Sequence, residues 1–180
     1  MRFSIQTLLL PGKDISEKFD NAARFGFDAV EVAIGPDFDL SQNLPQIRSA
    51  SQASGLPVSA ICTHPIHDPL VPSIAERQHR FNILAQLMGM ADELGAGGVV
   101  SVPIRPPHSY PNLAPWKTTY ELLREFTVET LKAWLHTIPD GNSRLFLEPL
   151  NRYETFFLNR VGQVVELCQA IGHPRVLALA

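Results

Sequence analysis

Short apolar runs alternate with longer stretches of helical spacing along the whole chain, and that alternation predicts the elements. Residues Arg2 to Leu8, within an apolar stretch broken by Gln6, read as a first strand. Pro11-Gly12 turns the chain, and Asp14 or Ser16 caps a helix that runs to about Phe25 and stops at Gly26,. A second strand follows over Gly26 to Val32, in which the two-residue period puts Glu31 on the face opposite Val30 and Val32,. Leu44 to Ala53 reads as a weaker helix with Pro45 in its first turn, closed by Gly55 ahead of a third strand, Pro57 to Cys62,. From Ser73 to Leu94 the residues Ile74, Phe81, Leu84, Leu87, Met88, Ala91 and Leu94 recur at helical spacing and predict a core face,. A fourth strand runs from Gly97 to Ile104, then comes a Pro-rich loop, Arg105 to Pro115. The fourth helix, Trp116 to His136, turns Tyr120, Leu123, Phe126, Leu131, Trp134 and Leu135 inward. The fifth strand is Arg144 to Leu147, the fifth helix Phe156 to Ile171, and a sixth strand lies within Arg175 to Ala180. Six strands alternating with five helices argue an α/β fold of parallel strands joined by right-handed crossovers, in one domain over residues 1–180,.

Composition narrows this. A closed barrel of eight such units typically needs about 250 residues, and this chain has 180,. Charged residues make up 18%, below the usual level of about 25%, as expected when strands are covered on both faces,. The net charge is −3 with Lys and Arg scattered, so the basic stripe that nucleic acid requires is missing and no such partner is expected,. Cys62 and Cys168 fall in a strand and a helix without Cys-x-x-Cys spacing; two packed thiols, no disulfide and a cytoplasmic setting are expected,. The stretch Met1 to Pro11 is too short for an export signal, and no run approaches the ~18 apolar residues of a membrane span,.

The chemistry concentrates between Leu145 and Asn159. Glu148 stands where a buried strand becomes a loop, since Pro149 cannot donate to a sheet ladder,. In barrels of alternating strands and helices the reacting groups lie at the C-terminal strand ends, so a carboxylate there reads as chemistry. The glycine-rich run Gly95 to Gly98 has the wrong order for a phosphate cradle, because it follows a helix and opens a strand,.

The run Glu148-Pro-Leu-Asn-Arg-Tyr-Glu154 resembles the strand-five signature of the sugar phosphate isomerase/epimerase superfamily, whose fold is the xylose isomerase-like (β/α)8 TIM barrel. It is most similar to that of ketose 3-epimerases of the D-tagatose and D-psicose type. Gly26-Phe-Asp-Ala-Val-Glu-Val32 resembles the second strand of the same superfamily. The resemblance implies a divalent metal, Mn²⁺ or Mg²⁺ with Co²⁺ as a further option, bound by Glu148, which also acts as one of two acid/base carboxylates working through an enediolate. It implies that Glu154 contacts substrate hydroxyls. The family's other ligands, an Asp, a His and a Glu at the ends of strands six, seven and eight, have no counterpart, so a barrel truncated after strand six and inactive by itself is expected. The full-length protein is expected to be a homo-oligomer acting on a small sugar, and the apolar edge Val176 to Leu179 is an expected association site,.

Three further assignments complete the expectation. Two histidines and an aspartate follow strand three, at His64, His67 and Asp68, where the endonuclease IV branch of the fold also carries a His; strand four lacks that branch's second His, so His64 is assigned to substrate or loop backbone. Arg105, His108 and Tyr110 are placed to meet a phosphate or a sugar, with an ordinary solvated loop as the bland alternative. Glu31 is favoured as a paired structural carboxylate over one facing the metal end. Two other functions stay open: an endonuclease IV-like DNA repair nuclease, and a non-catalytic half-barrel that binds a partner.

Overall fold

The computed structural model describes residues 1–105 and 110–180, excepting the side chains of residues 40 and 41. Its strands are β1 (Ser4–Gln6), β2 (Ala29–Ala33), β3 (Val58–Cys62), β4 (Gly98–Ser101), β5 (Arg144–Leu147) and β6 (Val176–Ala178). Its helices are α1 (Ile15–Arg24), α2 (Leu40–Ser54), α3 (Ile74–Leu94), α4 (Thr119–Leu135) and α5 (Val161–Ile171). The strands form one sheet in chain order, and every neighbouring pair is parallel. This is the expected architecture: each helix carries the chain back so that the next strand runs in the same direction.

The two faces of the sheet separate by the strand period. Val30, Val32, Ile61, Val99, Leu145, Leu147 and Val176 point at the helices and are buried with Phe19, Leu84, Leu87, Leu131 and Val164. Each such fully buried side chain contributes roughly 1.5–3 kcal/mol. The opposite face carries Gln6 and Glu31 in one register pair and Ala33, Cys62, Val100, Phe146 and Leu177 in another continuous row. Polar and reactive groups are therefore gathered on the side away from the helices.

Local signals set the element ends. Asp14 caps α1 by accepting the Glu17 N–H at 2.9 Å, Ser73 caps α3, and Thr118 with Glu121 forms a capping box on α4,. Gly95 ends α3 in the left-handed conformation at φ 67°. At Gly98 no side chain fits: φ is 155°, and an added Cβ would lie 1.9 Å from the carbonyl oxygen of Arg144.

Beneath the sheet, at the strand beginnings, Asp92 in the last turn of α3 ties down the entry to β5. Its Oδ1 accepts the N–H groups of Asn142 at 2.9 Å and Ser143 at 2.7 Å. Arg175, just before β6, donates from Nε to the Ser143 carbonyl at 2.9 Å and from Nη1 to that of Pro139 at 2.8 Å. A carboxylate is unfavourable at a helix C-terminus, so Asp92 answers to these partners rather than to its own helix.

Several boundaries differ from expectation. The first strand is shorter, because Thr7–Leu9 makes a 3₁₀ turn. The second helix begins at Leu40, which places Pro45 inside it; Asp39 supports the earlier start by accepting the Gln42 N–H at 3.3 Å. The fifth helix starts at Val161 rather than Phe156. Residues 155–160 are held by side-chain bonds incompatible with helix, and Phe157 and Leu158 are packed into the core.

Candidate active site

Glu148 follows directly on β5. Its N–H donates to the Ser101 carbonyl at 3.0 Å, while the carbonyl of Leu147 accepts the Leu179 N–H at 2.9 Å. The strand end is thereby stitched on both sides, and the carboxylate is held at the C-terminal edge of the sheet. Burial pushes the Glu148 carboxyl above the usual range, the negative charges of Glu31 and Glu154 push in the same direction, and Arg105 opposes them,.

Glu31 sits on the same side of the sheet. Gln6 Nε2 donates to Glu31 Oε1 at 2.7 Å. The carboxylate thus has a structural partner, as expected, but it also bears electrostatically on Glu148, which the strand pattern by itself did not disclose. Cys62 completes the group: its thiol is pushed up to about 12, first by burial and then by Glu31 and Glu148, with Arg105 again opposing. A thiol held that high is protonated near neutral pH and is no nucleophile.

Arg105 and Glu154 face each other at the rim. Arg105 Nη2 lies 3.8 Å from Glu154 Oε2, a long ion pair with the carboxylate about half exposed. Glu154 belongs to a turn instead of a helix: its N–H donates to the Asn151 carbonyl at 3.1 Å, and Asn151 Oδ1 accepts the Tyr153 N–H at 2.9 Å. Asn159 fastens the loop by donating from Nδ2 to the carbonyls of Leu150 and Thr155, both at 2.9 Å. Arg152 donates to the Tyr153 hydroxyl at 3.0 Å and lies over that ring, leaving Glu148 to other neighbours.

The segment after β3 is arranged differently from a metal site. His64 accepts the Ile66 N–H through Nδ1 at 3.4 Å and opens the 3₁₀ turn Pro65–His67. It lines a small hollow with Thr63, Asp68, Val102 and Arg105. Asp68 is turned into the protein, where its two oxygens accept the N–H groups of Leu70 at 3.0 Å and Ile104 at 2.7 Å. Tyr110 donates its hydroxyl to the Leu70 carbonyl at 2.6 Å, so it braces the loop instead of reaching the rim. His108 lies outside the described residues.

Glu148 therefore feels the charges of Glu31, Arg105 and Glu154, and Cys62 those of Glu31, Glu148 and Arg105; His64 lines a separate small hollow with Arg105. Among the described residues no group of three or more His, Cys, Asp or Glu side chains is arranged to hold a metal ion. Carboxylates suit a hard divalent cation, which would relieve the mutual repulsion of Glu31 and Glu148, but such ions take about six ligands. By themselves the described residues thus do not complete a metal centre.

The sequence profile of the xylose isomerase-like TIM barrel matches residues 19–179. Among solved structures, 3-keto-D-glucoside 4-epimerase from E. coli superposes with a TM-score of 0.77 at 20% identity, over 99% of this chain and 67% of that one. D-psicose 3-epimerase from Clostridium cellulolyticum H10 gives 0.78 at 16% identity, over 99% and 62%. L-ribulose 3-epimerase gives 0.66 at 22% identity, over 98% and 59%. The chain thus spans about three fifths to two thirds of the length of these structures. No curated protein sequence matches it.

Proposed function

Because the chain belongs to the xylose isomerase-like TIM barrel family, we propose that it is the strand-one-to-strand-six part of a carbohydrate epimerase or isomerase, with Glu148 as a catalytic acid/base. The observation that carries this reading is the position of Glu148: a half-buried carboxylate at the end of β5, on the face away from the helices, opposite Glu31 and flanked by the Arg105–Glu154 pair. Such a carboxyl, pushed upward in its titration, is suited to taking a proton from a carbon beside a carbonyl and returning it. Glu154 and Arg105 at the rim are suited to holding sugar hydroxyls, the one accepting and the other donating. His64 lines the adjoining hollow and His108 follows Arg105 in the loop; both are assigned to substrate.

A divalent metal, Mn²⁺ or Mg²⁺ with Co²⁺ as a third candidate, belongs to the same reading. Glu148 would be one of its oxygen ligands. The described residues do not complete its ligand set, and by themselves they are expected to be inactive. The substrate is a small sugar, the full-length enzyme is a cytoplasmic homo-oligomer, and nucleic acid is no partner. In the described residues no helix is long and apolar enough to cross a membrane.

The test uses the natural full-length product of the reading frame, purified with Mn²⁺ and incubated with ketohexoses in D₂O. Deuterium enters the carbon next to the ketone in the wild type, and Glu148→Gln slows that exchange by about 10²- to 10⁴-fold. Exchange unaffected by the substitution would exclude Glu148 as the acid/base, and no exchange in the wild type would favour a non-catalytic binding protein.

A further inference from the structure

Ile104 is, among the described residues, the one non-glycine residue with positive φ, at 59°. A β-branched side chain is a poor occupant of that region, because its Cβ crowds the backbone carbonyl, and such a conformation persists only where the surroundings impose it. Here both sides of Ile104 are gripped. Its N–H donates to Asp68 Oδ2 at 2.7 Å, and its carbonyl accepts from Thr155 Oγ1 at 3.0 Å. All three residues are buried: Ile104 is 0% exposed, Asp68 2% and Thr155 1%.

Asp68 is itself anchored. Its second oxygen holds the Leu70 N–H, and its own carbonyl accepts from Arg80 Nη1 at 2.9 Å. The clamp therefore links the segment after β3 to the end of β4 and to the loop after β5. The two residues flanking it then meet outside: Arg105 follows Ile104, Glu154 precedes Thr155, and their side chains form the rim ion pair. Arg105 Nε is buried without a hydrogen-bond partner among the described residues. A buried donor left open in this way calls for an acceptor.

We propose that Asp68 is a positioning residue for Arg105: by holding the Ile104 N–H it keeps that residue left-handed and sets the guanidinium beside Glu154, with Nε–H turned to donate to an oxygen of the sugar. Only the last clause rests on the sugar reading above. Asp68 touches neither substrate nor reacting atoms in this role; it acts through the backbone N–H of Ile104 and through that of Arg105 itself, which it also accepts.

The experiment is ¹⁵N NMR of the arginine Nε–H groups of the full chain, with the Arg105 signal assigned by its loss in Arg105→Lys. In the wild type that signal is distinct and slow to exchange with solvent. Asp68→Ala brings it to the position of exposed arginines and speeds its exchange by about tenfold or more. In Asp68→Ala combined with Ile104→Gly the signal returns, since glycine adopts the left-handed conformation without help. Should Asp68→Ala fail to fold, Thr155→Val, which removes the other grip at nearly the same volume, must also speed the exchange. An Arg105 signal unchanged in folded Asp68→Ala, or in Thr155→Val where Asp68→Ala does not fold, or one already like exposed arginines in the wild type, overturns the proposal. Addition of D-fructose shifts the wild-type signal if the sugar reading holds. If the clamp variants behave as stated and the sugar leaves the signal in place, the sugar reading fails and the positioning role stands.

Discussion

Cys62 offers a chemical report on the charges around Glu148. Its thiol stands at about 12 against an ordinary 9.0, so at pH 8 it is ionised about 10³-fold less than a free thiol,. The more basic thiolate is the better nucleophile; a Brønsted coefficient of about 0.4–0.5 returns a factor of about 16 to 32. The net expectation is reaction with an aromatic disulfide about 30- to 60-fold slower than that of a free thiol. The assay is best run on a Cys168→Ser background, because burial pushes the Cys168 thiol to about 11 and would blur the signal. Burial is the larger cause at Cys62, so Glu31→Gln or Glu148→Gln should each speed the reaction only several-fold, while Arg105→Met should slow it. Simple shielding of an ordinary thiol gives a different curve. It would level off near pH 9, whereas a thiol near 12 gains about tenfold in rate per pH unit through pH 10. A plateau near pH 9, or the same sign of effect for Glu148→Gln and Arg105→Met, would refute the placement of Cys62, Glu31, Glu148 and Arg105 within reach of one another's charge.

Glu148 also predicts a pH dependence. Its carboxyl is raised in the folded chain above the 4.5 of an unperturbed glutamate, so the folded state keeps the proton longer; its favourable contribution is complete below pH 4.5 and is lost as pH rises through the folded value,. Glu148→Gln should therefore raise the urea midpoint at pH 7 and lose that advantage toward pH 4, and an equal or lower midpoint at pH 7 would count against the repulsion described. Asp92→Ala removes a charged acceptor from two backbone donors, one of them on fully buried Ser143, and should cost about 2–4 kcal/mol in chemical denaturation,; a loss under about 0.5 kcal/mol would show that water replaces it. Strands β1 and β6 each pair on one side only, and Leu177 is 40% exposed, so the chain should associate with concentration and Leu177→Lys should reduce this in light scattering,. A clean monomer at high concentration in the unsubstituted chain would go against it.

The order and type of all six strands and five helices follow from periodicity, because buried parallel strands read as short apolar runs and the helices between them keep one packed face. Glu148 stands out in the sequence for a related reason: a carboxylate immediately after such a run has few structural explanations. What escaped sequence reading depended on contacts across the sheet. The fifth helix looked continuous from Phe156, yet Thr155 spends its hydroxyl on the Ile104 carbonyl and Asn159 spends its amide on two others, which holds the intervening residues in a loop. Asp68 stood in a His-rich run and suggested a ligand, whereas it points inward to a backbone 36 residues away. Cys62 gave no sign in sequence beyond its strand, and its neighbours became known only once β2, β3 and β5 were laid side by side.

The bracket of Asp92, Ser143 and Arg175 lies at the strand beginnings, while Glu148, Arg105 and Glu154 lie at or beyond the strand ends. Structural security and the candidate chemistry are thus lodged at opposite poles of the same scaffold. Loops at the strand ends can therefore change with little effect on the bracket, and stabilising substitutions at the strand beginnings leave the Glu148 end untouched.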